Sequence, residues 1–290
     1  MKWEGNRESD NVEDRRGSGG GGMPVFGGRS IGIGTIVIAL LGGWVLGINP
    51  LTILGLLSGG GMPAQVQQAP AQRPPADDTM ARFVSSVLAD TKDVWQAVFR
   101  EGGGRYQEPR LVLFRGATPT ACGTGQAAMG PFYCPADQKV YIDLGFYETL
   151  KSRLGAPGDF AQAYVIAHEV GHHVQHLLGI TSKVDQMRGR VSQKEYNAMS
   201  VRLELQADCF AGVWAHHAQN ARQILEQGDV EEAMNAAARI GDDALQRASG
   251  GAVVPDSFTH GSSAQRQRWF HTGLKQGSVQ ACDTFSARSL

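Results

Sequence analysis

The amino-acid sequence predicts an α+β domain that is mostly helical, carries a small sheet and is preceded by one transmembrane helix. Two observations predict the domain. Short β-type runs come first, and long stretches with helical spacing of apolar residues follow them. The third observation, one long stretch without any Asp, Glu, Lys or Arg, predicts the membrane helix. The chain of 290 residues, 42% of them hydrophobic, is sufficient for one sizeable domain.

The charge-free stretch lies between Arg29 and Arg73. Residues 31–48 within it are apolar or small, and roughly 20 such residues span a bilayer core. We therefore predict an uncleaved transmembrane anchor over residues 29–57. A buried core helix or a cleaved signal peptide fits less well, because a long segment of mixed charge precedes the stretch.

The segments on either side of the predicted anchor are poor in large apolar residues. Residues 1–28 are charged and then glycine-rich, which predicts a flexible tail, and residues 58–77 are rich in Pro, Gln and Gly, which predicts a stalk. Because basic residues precede the anchor and none follows it before Arg73, the amino terminus is predicted in the cytoplasm and residues 78–290 on the other side. Glycine pairs in and beside the anchor permit close helix packing, so a homo-oligomer is a further possibility.

Overall charge and cysteine content narrow the function further. A net charge of -1 and a pI of about 6.7 provide no basic excess, so nucleic acid is not an expected partner. Four cysteines permit two disulfides in an exported domain, Cys122 with Cys134 and Cys209 with Cys282. Four buried thiols are the alternative, because spacing alone does not establish pairing.

Apolar spacing predicts the elements of the domain in chain order. A first helix covers residues 78–99, and short strands at 111–114 and 139–144 flank a loop rich in Gly and Pro. Helices are then predicted at residues 161–178, 194–217, 229–248 and 262–274. Gly179 is suitably placed to end the helix at 161–178.

The strongest functional signal is the run His168-Glu169-Val170-Gly171-His172. Residues four apart share a helix face, so His168 and His172 can bind one metal ion side by side. Glu169 can then reach a water molecule on that ion and act as its general base. The run lies in the middle of an apolar predicted helix and indicates a zinc hydrolase.

A catalytic zinc site usually takes three protein ligands and leaves a fourth position for water. Glu204 is the best candidate for the third ligand, because Glu204 and Asp208 lie four residues apart on one face of the following helix. Asp208 is predicted to accept the second N–H group of His168. A solvated pair of carboxylates is the alternative, but the surrounding helix is largely apolar.

The other histidines near this motif are not predicted to bind the metal. The extended pattern HExxHxxGxxH is absent, because other residues occupy its Gly and third His positions. His173 and His176 point partly away from the shared face, so structural hydrogen bonding is expected of them. His216 and His217, at the end of a later helix, have the same interpretation.

Peptide hydrolysis also needs a donor to the oxyanion that develops on the substrate carbonyl. His260, in the loop before the last helix, is the preferred candidate, and a purely structural histidine is the equal alternative. Tyr133, Tyr141 and Tyr164 are weaker candidates for the same task. An extended substrate is predicted to pair with the strand at 139–144.

At this point the chain resembles the neutral zinc metallopeptidase family of bacteria, whose members carry a single amino-terminal membrane segment. More distantly, HExxH followed by ExxxD is similar to the thermolysin-like zincins, whose zinc is held by two His and the Glu of the second motif. The family resemblance runs over nearly the whole chain, through WEG at 3–5, ESDNVEDRRG at 8–17, FYCPAD at 132–137, the HExxH run, the motif from Glu204 to Asp208, and residues 259–270.

The resemblance implies a zincin-like metallopeptidase domain with one Zn²⁺ at His168, His172 and Glu204 and with Glu169 as base. Together with the predicted anchor, it implies a domain outside the bacterial inner membrane that acts on a peptide or protein. The spacing between the motifs differs from that of thermolysin, and no motif around His260 secures its role. Two alternatives stay open: a membrane-tethered scaffold with structural zinc, and a zinc amidase that acts on a non-peptide bond of the cell envelope.

Overall fold

The computed structural model describes residues 1–17, 72–250 and 252–290. The predicted anchor at 29–57 and most of the predicted stalk lie outside the described residues. Within the described ranges, no helix is both long enough and apolar enough to cross a membrane. These ranges have a mixed α+β fold in which helices predominate, as the sequence predicts.

Five of the six described strands lie between the first long helix and the later helices. The strands are β1 (Val12–Asp14), β2 (Arg110–Phe114), β3 (Ala117–Thr120), β4 (Gly123–Gln126), β5 (Phe132–Cys134) and β6 (Lys139–Asp143). The helices are α1 (Thr79–Glu101), α2 (Gly145–Ser152), α3 (Asp159–Leu177), α4 (Ile180–Asp185), α5 (Gln193–Arg222), α6 (Asp229–Arg239), α7 (Asp242–Ala248) and α8 (Ser263–Gln276).

The main sheet has the strand order β1-β2-β6-β5. β1, β2 and β6 run parallel, with Val12 opposite Leu111 and Arg110 opposite Lys139, whereas β5 is antiparallel to β6. The prediction that a substrate pairs with the strand at 139–144 is wrong, because β6 is hydrogen-bonded to a neighbour on each side. Among the described strands, β5 forms this edge of the sheet.

Residues 1–17 are part of the folded domain, so the prediction of a flexible tail is wrong for them. β1 extends the main sheet, and the Asp14 amide donates a hydrogen bond to the Gln72 carbonyl oxygen at 2.7 Å. Trp3 packs edge to face on Phe83 of α1, with the ring centroids 5.3 Å apart. The apolar side chains of this segment therefore pack on the core of the domain, and apolar spacing along the sequence does not predict that contact.

The same contacts bear on the predicted orientation in the membrane. Arg16 pairs with Asp78 at 2.6 Å, so the segments before and after the predicted anchor meet within one folded unit. A single membrane crossing between them would separate them by a bilayer. These contacts argue against the predicted orientation, with the amino terminus in the cytoplasm and residues 78–290 outside, which stays a prediction.

Glycines permit close contact between the helices that carry the predicted site. A β-carbon at Gly171 of α3 would lie 3.0 Å from the Ala207 carbonyl oxygen of α5, which is a crowded distance. A β-carbon at Gly273 of α8 would overlap the carbonyl oxygen of Cys209 on α5. The absence of side chains at these two positions brings the HExxH helix and α8 against the helix that carries Glu204.

The single helix predicted at 229–248 is two helices, and the break follows from contacts with the first residue of α8. A β-carbon at Gly241, between α6 and α7, would lie 2.5 Å from the Ser263 amide nitrogen. Asp243, in the first turn of α7, accepts hydrogen bonds from the amide and hydroxyl of Ser263, each at 2.7 Å. These nonlocal hydrogen bonds redirect the chain at a point where apolar spacing alone predicts continuity.

Both predicted disulfides are confirmed. Cys122–Cys134 links the turn between β3 and β4 to the end of β5. Cys209–Cys282 links α5 to the segment after α8. No cysteine of the described residues is a free thiol.

Candidate metal centre

His168, His172 and Glu204 converge where α3 contacts α5. Nε2 of His168 lies 3.2 Å from Oε2 of Glu204, and Nε2 of His172 lies 3.4 Å from Oε1 of the same carboxylate. The candidate ligand atoms of the three residues all lie within 4.8 Å of one another. The structure thus brings together the three side chains that the sequence proposes as ligands.

The donor set and its spacing fit zinc. Zn²⁺ binds imidazole nitrogen and carboxylate oxygen at about 2.0–2.2 Å, so the ligand atoms of a tetrahedral site lie roughly 3.3–3.5 Å apart. The two N···O separations, 3.2 and 3.4 Å, are close to that range. Three protein ligands also leave one coordination position open, which is typical of catalytic zinc sites.

Asp208 lies behind His168, in the position that the sequence predicts. Its Oδ1 is 2.8 Å from Nδ1 of His168, and the side chain is fully buried. An ionised carboxylate can only accept, so Nδ1 carries a proton and Nε2 is the nitrogen that can bind a metal. Tyr164 donates its hydroxyl to the same carboxylate oxygen at 2.5 Å.

Sequence reasoning missed Arg266 of α8, which is 2% exposed and contacts the same carboxylate. Its Nε donates to Oδ2 of Asp208 and its Nη2 donates to Oδ1, each at 2.9 Å. The guanidinium group neutralises a carboxylate that would otherwise be a buried charge with only neutral donors around it. Local spacing does not relate residues 58 positions apart, and only the family resemblance of residues 259–270 pointed to this segment.

Gln175 contacts His172, the second candidate histidine ligand, and sequence reasoning missed it as well. Its Oε1 lies 2.9 Å from Nδ1 of His172, and its side chain is completely buried. A polar residue three positions after His172 lies on the same face of α3. That spacing was available in the sequence and could have identified Gln175.

Charges around the site shift the pKa values of all three candidate ligands. Burial would lower the pKa of His168, but Asp208 and Glu204 outweigh it and raise that pKa to about 9. Burial is likewise outweighed at His172, whose pKa is raised by Glu204. Burial would raise the pKa of Glu204, but the two imidazoles hold it well below its ordinary value. A divalent cation bound by these ligands would neutralise the negative charges of Asp208 and Glu204.

Glu169 lies beside the ligand group and lines the same cleft. Its side chain is buried, and no hydrogen bond to it comes from the part of the chain that the structure describes. Burial raises the pKa of Glu169, and His172 and His168 offset part of that rise. A carboxylate with a raised pKa and open acceptor positions is suited to act as a general base.

His260 also lines this cleft, and Asp242 at the start of α7 orients it. Nδ1 of His260 lies 3.2 Å from Oδ1 of Asp242. Oδ2 of Asp242 accepts hydrogen bonds from the amides of Thr259, His260 and Gly261, at 2.8, 2.6 and 3.0 Å. The hydrogen bond to Asp242 raises the pKa of His260, against the opposing effect of burial.

The three tyrosines proposed as weaker oxyanion donors are engaged elsewhere. The Tyr133 hydroxyl lies 2.9 Å from Nδ1 of His173, and the Tyr141 hydroxyl donates to Asp137 at 2.7 Å. The Tyr164 hydroxyl donates to Asp208. His260 is therefore the candidate donor whose environment best agrees with that role.

The other histidines make hydrogen bonds of the structural kind expected of them. Nε2 of His173 lies 2.6 Å from the carbonyl oxygen of Gln107, and the ring is fully buried. Nδ1 of His216 and Nε2 of His217 each lie 2.8 Å from a backbone carbonyl oxygen. Nε2 of His176 lies 3.5 Å from the side-chain nitrogen of Gln138.

The candidate site opens into a cleft of about 980 Å³. Phe132 and Tyr133 of the edge strand β5 line one part of it, and Phe146 of α2 lies nearby. Ile240 and Leu245 contribute further apolar surface. The cleft therefore combines the metal ligands, a sheet edge and apolar walls.

A second group of acidic side chains, Asp159, Asp229 and Glu232, is also close enough to share an ion. The Met1 amino group lies 2.7 Å from Oδ1 of Asp159 and 3.3 Å from Oδ1 of Asp229. This ammonium group already provides the positive charge at that point. We therefore treat the group as an ion pair rather than a second metal centre.

The chain is similar to a known protein family and to several bacterial proteins. A family model described as "Putative neutral zinc metallopeptidase" matches residues 1–285. Uncharacterized protein YpfJ of Escherichia coli (strain K12) is 53% identical over 292 residues, which cover 98% of this chain and 99% of that protein. Uncharacterized protein Rv2575 of Mycobacterium tuberculosis (strain H37Rv) is 42% identical over 221 residues, which cover 72% of this chain and 73% of that protein. No solved structure matches the chain at a significant level.

Proposed function

This chain belongs to the neutral zinc metallopeptidase family, and from that premise we propose that it is a zinc-dependent peptidase with Glu169 as general base. The observation that supports the proposal best is the convergence of His168, His172 and Glu204 at the wall of a cleft that Glu169 also lines. The family suggests zinc, and two imidazoles with one carboxylate provide a suitable open site for it.

His168, His172 and Glu204 would hold a Zn²⁺ ion, which would supply a Lewis acid to polarise the scissile carbonyl and to lower the pKa of water towards about 7. Glu169 accepts a hydrogen bond from the attacking water and takes its proton as the water adds to the carbonyl carbon. Glu169 then returns the proton to the leaving amine. Burial raises the pKa of Glu169, which makes this carboxylate a stronger base for the proton of the water.

We assign His260 to the oxyanion that develops in this reaction. Asp242 is an acceptor only, so Nδ1 of His260 carries a proton and Nε2 becomes a donor when the ring is protonated. The pKa of His260 is raised by its hydrogen bond to Asp242, which favours the protonated form. The proposed role of His260 is therefore to donate from Nε2 to the substrate oxygen.

An extended substrate would bind along β5 rather than β6. β5 lies at the edge of the main sheet, and Phe132 and Tyr133 of this strand line the cleft. Backbone hydrogen bonds to an edge strand bind peptides of many sequences. The apolar side chains of the cleft would then select among the side chains of the substrate.

A scaffold with structural zinc would need a fourth protein ligand, for which the sequence offers His176 or Asp208. Asp208 is already engaged by His168, Arg266 and Tyr164. His176 is not among the side chains whose ligand atoms converge. The open fourth position favours a hydrolase, and a zinc amidase of the cell envelope would use the same residues.

The central test compares full-length wild type with Glu169→Gln, and it measures zinc content together with cleavage of a peptide library and of cell-wall fragments. The variant is expected to keep stoichiometric zinc and to lose about 10²–10⁴-fold in kcat/KM, because its amide cannot accept the proton. His176→Ala is the control and should keep both properties. Equal cleavage by Glu169→Gln would refute the mechanism, and cleavage of cell-wall fragments alone would favour the amidase.

We also propose that the domain works outside the cytoplasm. Two disulfides support this location, because such bonds persist mainly in oxidising compartments. Residues 1–17 belong to the same folded unit, so they would lie on that side as well. Attachment to the inner membrane through residues 29–57 remains a prediction. In this proposal residues 1–17 and residues 78–290 lie on the same side of that membrane.

A further inference from the structure

We infer that Gln175 and Gln206 are positioning residues for the candidate zinc ligand His172. We further infer that the segment after α8 completes their hydrogen-bond relay through the carbonyl group of Cys282. The inference rests on the zinc site of the proposed function, but it does not depend on the bond that the protein hydrolyses. It extends the site from α3 and α5 to the carboxy-terminal segment.

The relay determines which nitrogen of His172 carries the proton. Nε2 of Gln175 lies 2.7 Å from the carbonyl oxygen of Leu203, which can only accept, so the amide orientation of Gln175 is defined. Oε1 of Gln175 is consequently the atom that faces Nδ1 of His172, at 2.9 Å. Because this oxygen is an acceptor, Nδ1 of His172 must donate, and Nε2 is left with a lone pair for the metal.

A second glutamine continues the relay. Gln175 donates to Oε1 of Gln206 at 3.1 Å, and Nε2 of Gln206 donates to the carbonyl oxygen of Cys282 at 2.9 Å. Gln175 is 0% exposed and Gln206 is 5% exposed. At such burial an amide group without a hydrogen-bond partner is costly in free energy, so each partner restricts the orientation of the next.

Cys282 is held against α5 by two kinds of contact. Its side chain is bonded to Cys209, which lies on the same helix as Gln206. Two residues later, the Thr284 hydroxyl donates to the carbonyl oxygen of Arg202 at 2.6 Å, and the Arg202 guanidinium donates to the Thr284 carbonyl oxygen. The segment is therefore attached to α5 on both sides of Glu204, the third candidate ligand.

Charge balance explains why an amide rather than a carboxylate orients His172. His168 already has Asp208 behind it, and three carboxylates surround the site, those of Asp208 and Glu169, which are buried, and that of Glu204, which is partly exposed. The two charges of Zn²⁺ and the one charge of Arg266 neutralise these three. A carboxylate at position 175 would leave one buried negative charge without compensation, whereas a neutral glutamine orients the ring at no such cost.

The test uses full-length wild type, Gln175→Met and Gln206→Met, with Gln267→Met as the matched control elsewhere in the domain. Gln267 makes a similar side-chain hydrogen bond, to the Met234 carbonyl oxygen, but lies outside this relay. Chelator competition measures zinc affinity, and nitrogen-15 NMR of the zinc-bound protein follows the Nδ1–H signal of His172. Denaturant unfolding of each variant reports on the fold.

Gln175→Met is expected to bind zinc about 10–100-fold more weakly and to lose protection of the His172 Nδ1–H signal from exchange with water. Gln206→Met should weaken zinc binding less, and Gln267→Met should change neither property. Unchanged affinity with a protected signal in Gln175→Met would overturn the inference. If Gln175→Met does not fold, unchanged affinity and signal in Gln206→Met would overturn it instead.

Wild type separates this inference from the proposed function. A wild-type protein without zinc affinity would refute both. A wild-type protein that binds zinc, responds to Gln175→Met as expected and cleaves no peptide would refute the peptidase while supporting the relay. A peptidase whose zinc affinity is indifferent to Gln175→Met would refute the relay alone.

Discussion

Arg266 and Asp208 form a two-point ion pair behind His168, with Nε–Oδ2 and Nη2–Oδ1 distances of 2.9 Å each. Both side chains are buried, and Asp208 also contacts Nδ1 of His168 at 2.8 Å. The planar guanidinium matches the two carboxylate oxygens and keeps the carboxylate in one orientation. Helix α8 thereby helps to orient a candidate metal ligand that belongs to α3.

Replacement of Arg266 by methionine should lower the free energy of unfolding by about 3–5 kcal/mol, because it leaves the Asp208 charge buried without its cationic partner. Chemical denaturation measures this loss. Arg268→Met, two residues away on the exposed side of α8, is the control and should change stability by no more than about 0.5 kcal/mol. Equal stability of the two variants would contradict the role assigned to the ion pair.

Glu204→Ala should lose zinc, because it removes one of three convergent ligands, whereas His176→Ala should keep it. The readouts are metal content after dialysis and the melting temperature with and without zinc. Ligand binding to the native state stabilises it by about 2.7 kcal/mol when free zinc is 100 times its dissociation constant, so wild type and His176→Ala should melt higher with zinc. Stoichiometric zinc in Glu204→Ala would exclude this ligand set.

Asp242→Asn tests how His260 acts. If protonated His260 donates to the oxyanion, kcat/KM falls as pH rises through its pKa, and that pKa is raised by Asp242. The variant should therefore lose activity at lower pH than wild type does, and His260→Ala should lose about 10²–10³-fold in kcat. A pH–rate profile that Asp242→Asn leaves in place would contradict this role.

A stability measurement provides a second readout for Asp242. Burial would raise its pKa, but the hydrogen bonds from His260 and from backbone amides lower it below the ordinary aspartate value. A lowered folded-state pKa stabilises the protein above the unfolded-state pKa, and this contribution is lost as pH falls through the folded-state pKa. Asp242→Asn should consequently destabilise the protein at neutral pH and much less in strong acid.

Local spacing accounts for the part of the site that the sequence predicts. His168 and His172 are four residues apart, and so are Glu204 and Asp208, so one helix periodicity defines each pair. Gln175, three residues after His172, lies on the same helix face, but a search for zinc ligands does not select it, because zinc sites use Cys, His, Asp and Glu. Its importance depends on Leu203 and Gln206, which only the packing of α3 on α5 brings close.

Nonlocal contacts account for most of what sequence reasoning missed or got wrong. β1 is a three-residue strand that is stable only because β2 and the segment after residue 71 pair with it. Arg266 reaches Asp208 across a helix interface, and no periodicity encodes that distance. The break before Asp242 likewise follows from hydrogen bonds to the start of α8 and to the loop before it.

The packing of residues 1–17 on the domain leads to a prediction about membrane sidedness. Glu4 and Glu101 are both exposed, and the described wild-type cysteines are all in disulfides, so Glu4→Cys and Glu101→Cys each introduce a single reactive thiol there. In intact cells a membrane-impermeant maleimide should label both variants to the same extent, with wild type as the background. Labelling of Glu101→Cys in intact cells but of Glu4→Cys only after lysis would mean that a membrane separates the two segments. That result would contradict the contacts between Asp14 and Gln72 and between Arg16 and Asp78, and it would support the single membrane crossing predicted from the sequence.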